Sequence, residues 1–238
     1  MKEEIRYILF DLDGTLLPMD MDVFTRSYFK DLIKFAYSKG YDQTIDLVSV
    51  IWAGTAAMVH NDGTRSNGEA FWEKYTELTG REGSSDEPMF DEFYATVFDN
   101  ARNYVGFTKE AAKTVNMLKE KGYKVVLATN PIFPKVATDK RIDWAGLDKD
   151  DFLLVTTYEN STFAKPNPKY YTQVLNKLGL RPEECLMVGN DAKEDSSALE
   201  AGIDFFLITD CLVNSENRDI SVFNNGTFED LRKYIGIE

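Results

Sequence analysis

The sequence has little cysteine, few basic side chains and no long hydrophobic run. With two cysteines among 238 residues, a disulfide framework of the kind that stabilises small secreted domains is not expected. No stretch approaches the roughly 20 apolar residues that span a bilayer, and the first residues lack the layout of a signal peptide. We therefore predict a cytoplasmic protein that has no membrane partner.

The sequence is also short of positive charge. It has 40 acidic and 27 basic residues, and the net charge is −13. Nucleic acids and anionic lipids bind proteins through Lys and Arg, so this balance disfavours both as partners, although a local pocket can oppose the global sign. The sequence also has no Gly-x-Gly-x-x-Gly after its first apolar run, which argues against a dinucleotide-binding domain. We predict a small-molecule partner, no nucleic acid, and a monomer or homodimer.

Apolar runs and helical patterns alternate from Thr108 onward, and hydrophobic residues make up 43% of the chain. Strands that alternate with helices are typical of a parallel sheet with helices on both faces, a Rossmann-like doubly wound α/β fold. The predicted strands are residues 5–10, 124–128, 151–156, 185–188 and 205–208. The predicted helices of this part are residues 108–121, 168–178, 195–201 and 227–234.

Residues 18–105 have a different texture, with no convincing strand. Four helices are predicted there, over residues 24–39, 44–60, 68–79 and 88–103. We expect Asp22 and Asp86 to be N-caps and Pro88 to lie in a first helical turn. An all-helical insert after the first strand must lie over the C-terminal edge of the sheet, where open α/β sheets bind ligands. We therefore predict a helical cap domain, 18–105, on an α/β core of residues 1–17 and 106–238.

Asp11 and Asp13 come directly after the first predicted strand. Side chains at i and i+2 leave a strand on the same side, roughly 6–7 Å apart at ~3.3 Å per residue. Two carboxylates that close repel each other unless a cation or a shared proton relieves the charge. Gly14 then permits a sharp turn. This pattern is typical of a nucleophile and an acid/base that work with Mg2+.

Three further signals fall where later strands should end. They are Thr129, Lys165 before a proline, and the segment that contains Asp191 and Asp195. A hydroxyl at a strand end can donate to a phosphoryl oxygen, a lysine can neutralise a cluster of carboxylates and phosphate, and two aspartates four residues apart can share a helix face. Taken singly, the threonine is more typical of a turn or cap and the lysine of a solvated surface, and the aspartate pair is equally typical of a helix cap.

Taken together, in this order and each at a strand end, the four segments resemble the haloacid dehalogenase superfamily, and the helical insert resembles a type-1 cap. The resemblance implies that Asp11 is the nucleophile that takes the phosphoryl group as an aspartyl phosphate. It implies that Asp13 protonates the leaving group and then deprotonates the attacking water. Thr129, Asn130 and Lys165 would contact the transferring phosphoryl group, with Lys165 also steadying the nucleophile.

The same resemblance implies a Mg2+ cofactor. Asp191, Asp11 and the backbone carbonyl of Asp13 would hold the ion, and Asp195 would act through water or through the lysine. In the commonest form of the pattern a Gly-Asp pair precedes the helix, whereas here Asn190 stands between glycine and aspartate. Asn190 therefore remains a possible direct or water-mediated ligand.

The predicted function is a Mg2+-dependent phosphatase that hydrolyses a small phosphorylated metabolite. A phosphomutase or phosphotransferase of the same fold stays open, since nothing in the sequence decides whether water or a sugar hydroxyl takes the phosphoryl group. A dehalogenase has no need of Asp13, and a phosphonatase would need a Schiff-base lysine in the cap, where none stands out. A non-catalytic phosphate-binding module would be expected to lack Asp11, Asp13 or Lys165, all of which are present.

The insert offers weaker candidates. His60, the only histidine, and Arg65 could face the site or could belong to a helix end and a turn. Seven aromatic residues recur at helical spacing and are predicted mainly to form the core of the cap, with at least one at the seam between cap and core. They are Trp52, Phe71, Trp72, Tyr75, Phe90, Phe93 and Tyr94.

Overall fold

The computed structural model describes residues 5–238. Its centre is a sheet of six parallel strands in the order β3-β2-β1-β4-β5-β6. The strands are β1 (Tyr7–Phe10), β2 (Lys124–Leu127), β3 (Phe152–Val155), β4 (Cys185–Gly189), β5 (Asp204–Ile208) and β6 (Asn224–Gly226). The predicted fold class, a doubly wound α/β core with a helical insert, is confirmed.

Strand β1 lies in the middle of the sheet, between β2 and β4. Phe10, its last residue, is opposite Leu127 on one side and Val188 on the other. Because side chains alternate along a strand, Ile8 and Phe10 pack into one buried cluster while Leu9 packs into a second on the opposite face. A strand covered on both faces explains why this segment is a continuous apolar run.

Helices cover both faces of the sheet. They are α5 (Lys109–Glu120), α6 (Lys135–Trp144), α7 (Pro168–Leu178) and α8 (Phe228–Ile235), with a 3-10 helix at Asp195–Ala201. The predicted strands and helices of the core occur with small differences at their ends, but α6 and β6 were missed. Strand β6 is short, polar and partly exposed, and α6 buries polar residues such as Thr138 and Arg141. Neither segment therefore has the apolar pattern on which the prediction depends.

The insert contains α1 (Met21–Ser38), α2 (Leu47–Val59), α3 (Asn67–Thr79), α4 (Gly83–Thr96) and a 3-10 helix, Val97–Tyr104. Where the insert leaves and rejoins the core, Met19 forms a bridge with Val105, and the Gly106 amide donates to the Pro18 carbonyl over 2.7 Å. The limits of the cap domain at residues 18 and 105 stay a prediction.

Two details of the insert differ from expectation. Asp20, not Asp22, caps α1. Helix α4 begins at Gly83, so that Asp86 is not its N-cap and Pro88 lies inside it. The Asp86 carboxylate instead pairs with the half-exposed Arg81 in the loop after α3 and accepts the Tyr75 hydroxyl, which links α3 to α4. None of the helices formed by residues 5–238 is both long enough and apolar enough to cross a bilayer.

Candidate active site

The predicted site residues meet at the carboxyl edge of the sheet. Asp11 follows β1, Thr129 lies beyond β2, and Asp191 lies beyond β4. The chain passes from β1 to β2 on one side and returns to β4 on the other, which makes the end of β1 the point where ligands bind in open α/β sheets. Together with Asn130, Asn190 and Asp195, these residues line one cavity.

Lys165 is the centre of the charged cluster. Its Nζ lies 2.9 Å from Asp11 Oδ1 and 2.6 Å from Asp195 Oδ1, and its side chain is completely buried. Burial alone would lower the pKa of this ammonium, but Asp11 and Asp195 raise it well above its usual value. The lysine is therefore a fixed positive charge, and its two partners compensate the cost of burying it.

Burial also affects the carboxylates of this edge. It raises the pKa of Asp11 to about 7, because the lowering effect of Lys165 is smaller and Asp195 and Asp13 add negative charge. Burial likewise raises the pKa of Asp191 and brings that of Glu194 to about 7. The site thus has more negative charge than its own lysine neutralises, and a bound cation would relieve the excess.

Asp195 organises the turn after β4. Its Oδ2 accepts the backbone N–H of Asp191 over 2.9 Å, while Asp191 Oδ1 accepts the N–H groups of Lys193 and Glu194 over 2.7 and 2.8 Å. The carboxylate lies so close to Gly189 that a Cβ at position 189 would be 2.1 Å from Asp195 Oδ2. Only glycine fits there, which explains the glycine before the acidic segment.

Asn190 has a structural task at this edge. Its Oδ1 accepts the Thr15 hydroxyl over 2.9 Å and its Nδ2 donates to the Cys211 carbonyl over 2.7 Å. Its amide packs against Gly14, which has a φ of +84° and no space for a Cβ. Asn190 therefore ties the turn after β1 to the loops beyond β4 and β5.

Thr129 and Asn130 occupy the third corner. The Thr129 carbonyl accepts the Tyr170 hydroxyl over 2.9 Å, and its side chain lines the cavity. Asn130 Nδ2 donates to Glu194 Oε2 over 2.9 Å, and its Oδ1 accepts the Lys165 amide over 3.2 Å. Glu194 was not among the predicted residues, although its place one residue before Asp195 would have allowed it to be considered.

Asp13 has a partner that the sequence did not indicate. Arg141, on α6, forms an ion pair with Asp13 Oδ2 and lies 4.4 Å from the centre of the Phe133 ring. The arginine is 1% exposed. The other oxygen, Asp13 Oδ1, is buried and makes no hydrogen bond within residues 5–238. Arg141 was missed because helix α6 itself was missed.

The insert closes over this edge through α3. Asn67, at its start and completely buried, donates from Nδ2 to the carbonyls of Pro131 and Phe163 over 3.1 and 3.2 Å. Its backbone N–H donates to Ser161, and that of Gly68 donates to Tyr158. The loop after β3 thus satisfies the first backbone amides of a cap helix, and the loop after β2 accepts the Asn67 side-chain amide, which fixes the cap against the core.

The cavity between cap and core has a volume of about 340 Å³. Most of the seven predicted cap-core aromatics are buried in the core, as expected, and five of the seven also line this cavity. These five are Trp52, Phe71, Trp72, Phe90 and Tyr94. Tyr75 and Phe93 are completely buried, as expected. A large ring can pack on a neighbour with one face and line a cavity with the other, so helical spacing did not separate the two roles.

His60 and Arg65 do not line this cavity. His60 Nδ1 is 2.8 Å from the Ala56 carbonyl, and Arg65 pairs with Glu73. Both belong to a separate depression on the outside of the insert. Their position supports the simpler of the two interpretations, a helix end and a turn.

The donor set suits Mg2+. Among residues 5–238, no three Asp, Glu, His or Cys side chains are gathered into a metal site. Magnesium needs no such cage, because it commonly takes one or two carboxylates and keeps waters and substrate oxygens. Asp11 and Asp191 would supply the carboxylates and the Asp13 carbonyl a third oxygen. The raised pKa of Asp11 and of Asp191 fits a place that a cation would stabilise.

Comparison with known proteins agrees with this geometry. A family model described as haloacid dehalogenase-like hydrolase matches residues 5–202. The chain belongs to this family. It is 28% identical over 202 residues to a phosphoglycolate phosphatase of Pectobacterium atrosepticum, covering 83% of this chain and 77% of the relative. It is 26% identical over 199 residues to the pyrophosphatase PpaX of Bacillus cereus, covering 84% and 81%.

The crystal structure of a HAD phosphatase from Thermococcus onnurineus has a similar fold, with a TM-score of 0.59, 22% identity, and coverage of 98% of this chain and 99% of the other. The predicted superfamily is therefore confirmed, and so is the prediction of an enzyme of the hydrolase class.

Proposed function

We propose that this hydrolase is a Mg2+-dependent phosphatase that acts on a small phosphorylated metabolite through an aspartyl-phosphate intermediate. The observation behind the proposal is the buried Asp11–Lys165–Asp195 cluster at the carboxyl end of β1. The two relatives described above are named pyrophosphatase and phosphoglycolate phosphatase, which supports phosphatase chemistry. When bound, Mg2+ would neutralise the charge on the phosphoryl group.

Asp11 attacks the phosphorus, and the bond between phosphorus and the ester oxygen breaks. Lys165 holds Asp11 Oδ1 at 2.9 Å, which fixes the direction of the carboxylate. Oδ2, which accepts only a long hydrogen bond of 3.4 Å from the Thr15 hydroxyl, is then the attacking oxygen. The Thr129 side chain, buried at the cavity wall, would donate to the transferring group. Most of the rate comes from positioning and from charge neutralisation, because phosphoryl transfer needs little covalent help.

Asp13 moves the proton. Arg141 occupies Asp13 Oδ2, and the buried Oδ1 is without a hydrogen bond in the described part of the chain. That oxygen gives a proton to the leaving alkoxide and later takes one from the water that attacks the aspartyl phosphate. Phosphate then leaves, and Asp11 is regenerated.

The test is release of inorganic phosphate from an aryl phosphate in the presence of Mg2+. We expect Asp11→Asn and Asp13→Asn each to lose at least about 1000-fold in kcat, since each removes a group that acts only in the transition state. Asp150→Asn, at an exposed position, is the matched control and should match the parent. Chelation should abolish activity and added Mg2+ should restore it. Full turnover by Asp11→Asn or in chelator would contradict the proposal.

The alternative of a phosphomutase or phosphotransferase differs in one step, the acceptor of the phosphoryl group. Parent enzyme supplied with substrate in 18O-labelled water distinguishes the two. A phosphatase releases phosphate that contains 18O. A mutase would return the phosphoryl group to an organic hydroxyl without the label.

A further inference from the structure

The cavity that begins at Asp11 continues into the cap, and its far walls are aromatic. Most of the aromatic residues that line the cavity belong to the insert rather than to the core. The main rings are Phe29, Trp52, Phe71, Trp72, Phe90 and Tyr158. Several of them pack edge to face, such as Phe71 with Trp72, and Trp72 with Phe90, at 5.1 and 5.5 Å between ring centres. The wall is therefore built of rings held in fixed orientations.

No Lys, Arg or His from residues 5–238 lines this cavity, and the cap contributes one charged side chain, Asp91. The nearby cations already have anionic partners. Lys165 pairs with Asp11 and Asp195, and Arg141 pairs with Asp13. A second anionic group on the substrate would enter an apolar space without a counter-charge, which is strongly unfavourable because the lost hydration is not replaced.

The lack of a counter-charge argues against the two substrates that appear in the names of the relatives. Phosphoglycolate has a carboxylate beside its phosphate, and pyrophosphate has a second phosphate. Either would place its extra charge among aromatic rings and near Asp91. The cavity is suited instead to a leaving group that is uncharged and largely apolar.

A few polar side chains interrupt the apolar wall, among them Thr25, Thr55 and Asp91. The buried Nε1 of Trp72 makes no hydrogen bond of normal geometry within the described residues. It lies beside the Tyr158 hydroxyl. Burial raises the pKa of that hydroxyl, and the neighbouring Trp72 lowers it by a smaller amount. The Tyr94 hydroxyl, by contrast, is already paired with Tyr28 over 2.8 Å. Because Trp72 Nε1 is itself buried, this indole donor adds no polar contact to the surface of the cavity.

We propose, on the basis of the phosphatase function above, that the substrate is a phosphate monoester of an uncharged aromatic alcohol, whose ring binds among the aromatic side chains of the cap. The volume of about 340 Å³ corresponds to about eleven water molecules at ~30 Å³ each. That space holds a substituted ring and a short linker but no large polymer.

The test compares three esters whose leaving groups are all primary alkoxides: 2-phenylethyl phosphate, ethyl phosphate and 2-carboxyethyl phosphate. We expect kcat/KM to be about 100-fold higher for the phenylethyl ester than for the ethyl ester, because one methylene alone in an apolar pocket gives roughly 10-fold or more. The carboxyethyl ester should be the poorest. Equal rates for all three, or preference for the carboxylate, would overturn this inference while leaving the phosphatase function intact.

Variants of the wall sharpen the comparison. Trp52 lines the cavity but is 52% exposed, so its loss is tolerable for folding. Trp52→Ala should reduce the phenylethyl-to-ethyl ratio of kcat/KM about tenfold. Tyr104→Ala removes an equally exposed ring outside the cavity (43% exposed) and should leave the ratio unchanged. Thr25→Lys places a cation in the wall and should raise the relative rate of the carboxyethyl ester.

Failure of the two proposals can be told apart. If Asp11→Asn abolishes release from every ester that the parent hydrolyses, the phosphatase function stands and the ratios test the aromatic site alone. If the parent releases no phosphate from any ester, the phosphatase function fails. In that case, direct binding of 2-phenylethyl phosphate to the parent, followed by tryptophan fluorescence, still tests the aromatic site, and absence of saturable quenching overturns it.

Discussion

The two ends of the cavity are built on opposite principles. The end formed by the sheet consists of charged and hydrogen-bonded groups, with Lys165 between two carboxylates. The end formed by the cap consists of aromatic rings in mutual contact, with little charge. On the function proposed above, the core would determine which reaction occurs and the cap would determine which substrate binds.

The largest effect is expected where the charged end is broken. Lys165→Met would leave Asp11 and Asp195 buried without their cation, which should cost about 3–5 kcal/mol of folding free energy and at least about 1000-fold in kcat. Adding Asp195→Asn removes one of the two stranded charges and should restore part of the stability without restoring activity. Thermal unfolding and phosphate release measure the two quantities. Unchanged stability in Lys165→Met would contradict the ion-pair account.

The next effect concerns Asp13, the residue proposed to transfer the proton. Arg141→Gln should lower kcat about 100-fold for an alkyl phosphate, because Asp13 would lose the ion pair that orients it. The loss should be smaller for an aryl phosphate with an acidic phenol, which leaves without needing a proton. Arg141→Lys, which keeps the charge but not the fork geometry, should recover part of the rate. An equal loss on both substrates would indicate a purely structural role.

A smaller effect should follow from loosening the contact between the two ends. Asn67→Ala removes the bonds to the carbonyls of Pro131 and Phe163 and should cost about 1–3 kcal/mol of cap docking. We expect a higher KM and faster hydrogen exchange in the backbone of α3 and the loop near Ser161. Exchange as slow as in the parent would show that the cap is fixed by other contacts.

The smallest effect lies within the cap and depends on pH. Arg81 holds the pKa of Asp86 below its unfolded value of 3.8. A lowered folded-state pKa means that the pair stabilises the protein above about pH 4 and that this contribution is lost as pH falls through the folded-state pKa. Asp86→Asn should therefore unfold at lower temperature than the parent at pH 7, and the difference should shrink at pH 3. A constant difference would contradict this.

The charged end could be predicted from sequence because its residues are fixed by chain order. Asp11, Thr129, Lys165 and Asp191 each follow a strand or stand in a loop at the same edge, and parallel strands bring those loops together. The strands could be predicted from their apolar runs, so the carboxyl edge of the sheet could be located from the order of residues alone.

The remainder depends on contacts that sequence spacing does not encode. Arg141 is a buried arginine in a helix with few apolar positions, and its partner is Asp13, 128 residues earlier. The cap aromatics have helical spacing whether they face a neighbour or a cavity, and Trp52 and Tyr75 differ only in the packing around them. The prediction that Asp86 is an N-cap was wrong, because its carboxylate instead binds Arg81 and the Tyr75 hydroxyl.

The central claim is that Asp11 receives the phosphoryl group, and the most direct test is its capture. Asp13→Asn should slow hydrolysis of the intermediate, so rapid acid quench during turnover of an aryl phosphate should leave a phosphoryl group on the peptide that contains Asp11. The account predicts one phosphoryl group per chain, located on Asp11 by mass spectrometry and absent from Asp11→Asn. Turnover by the parent with no phosphorylated Asp11 at any quench time, together with activity in Asp11→Asn, would contradict it.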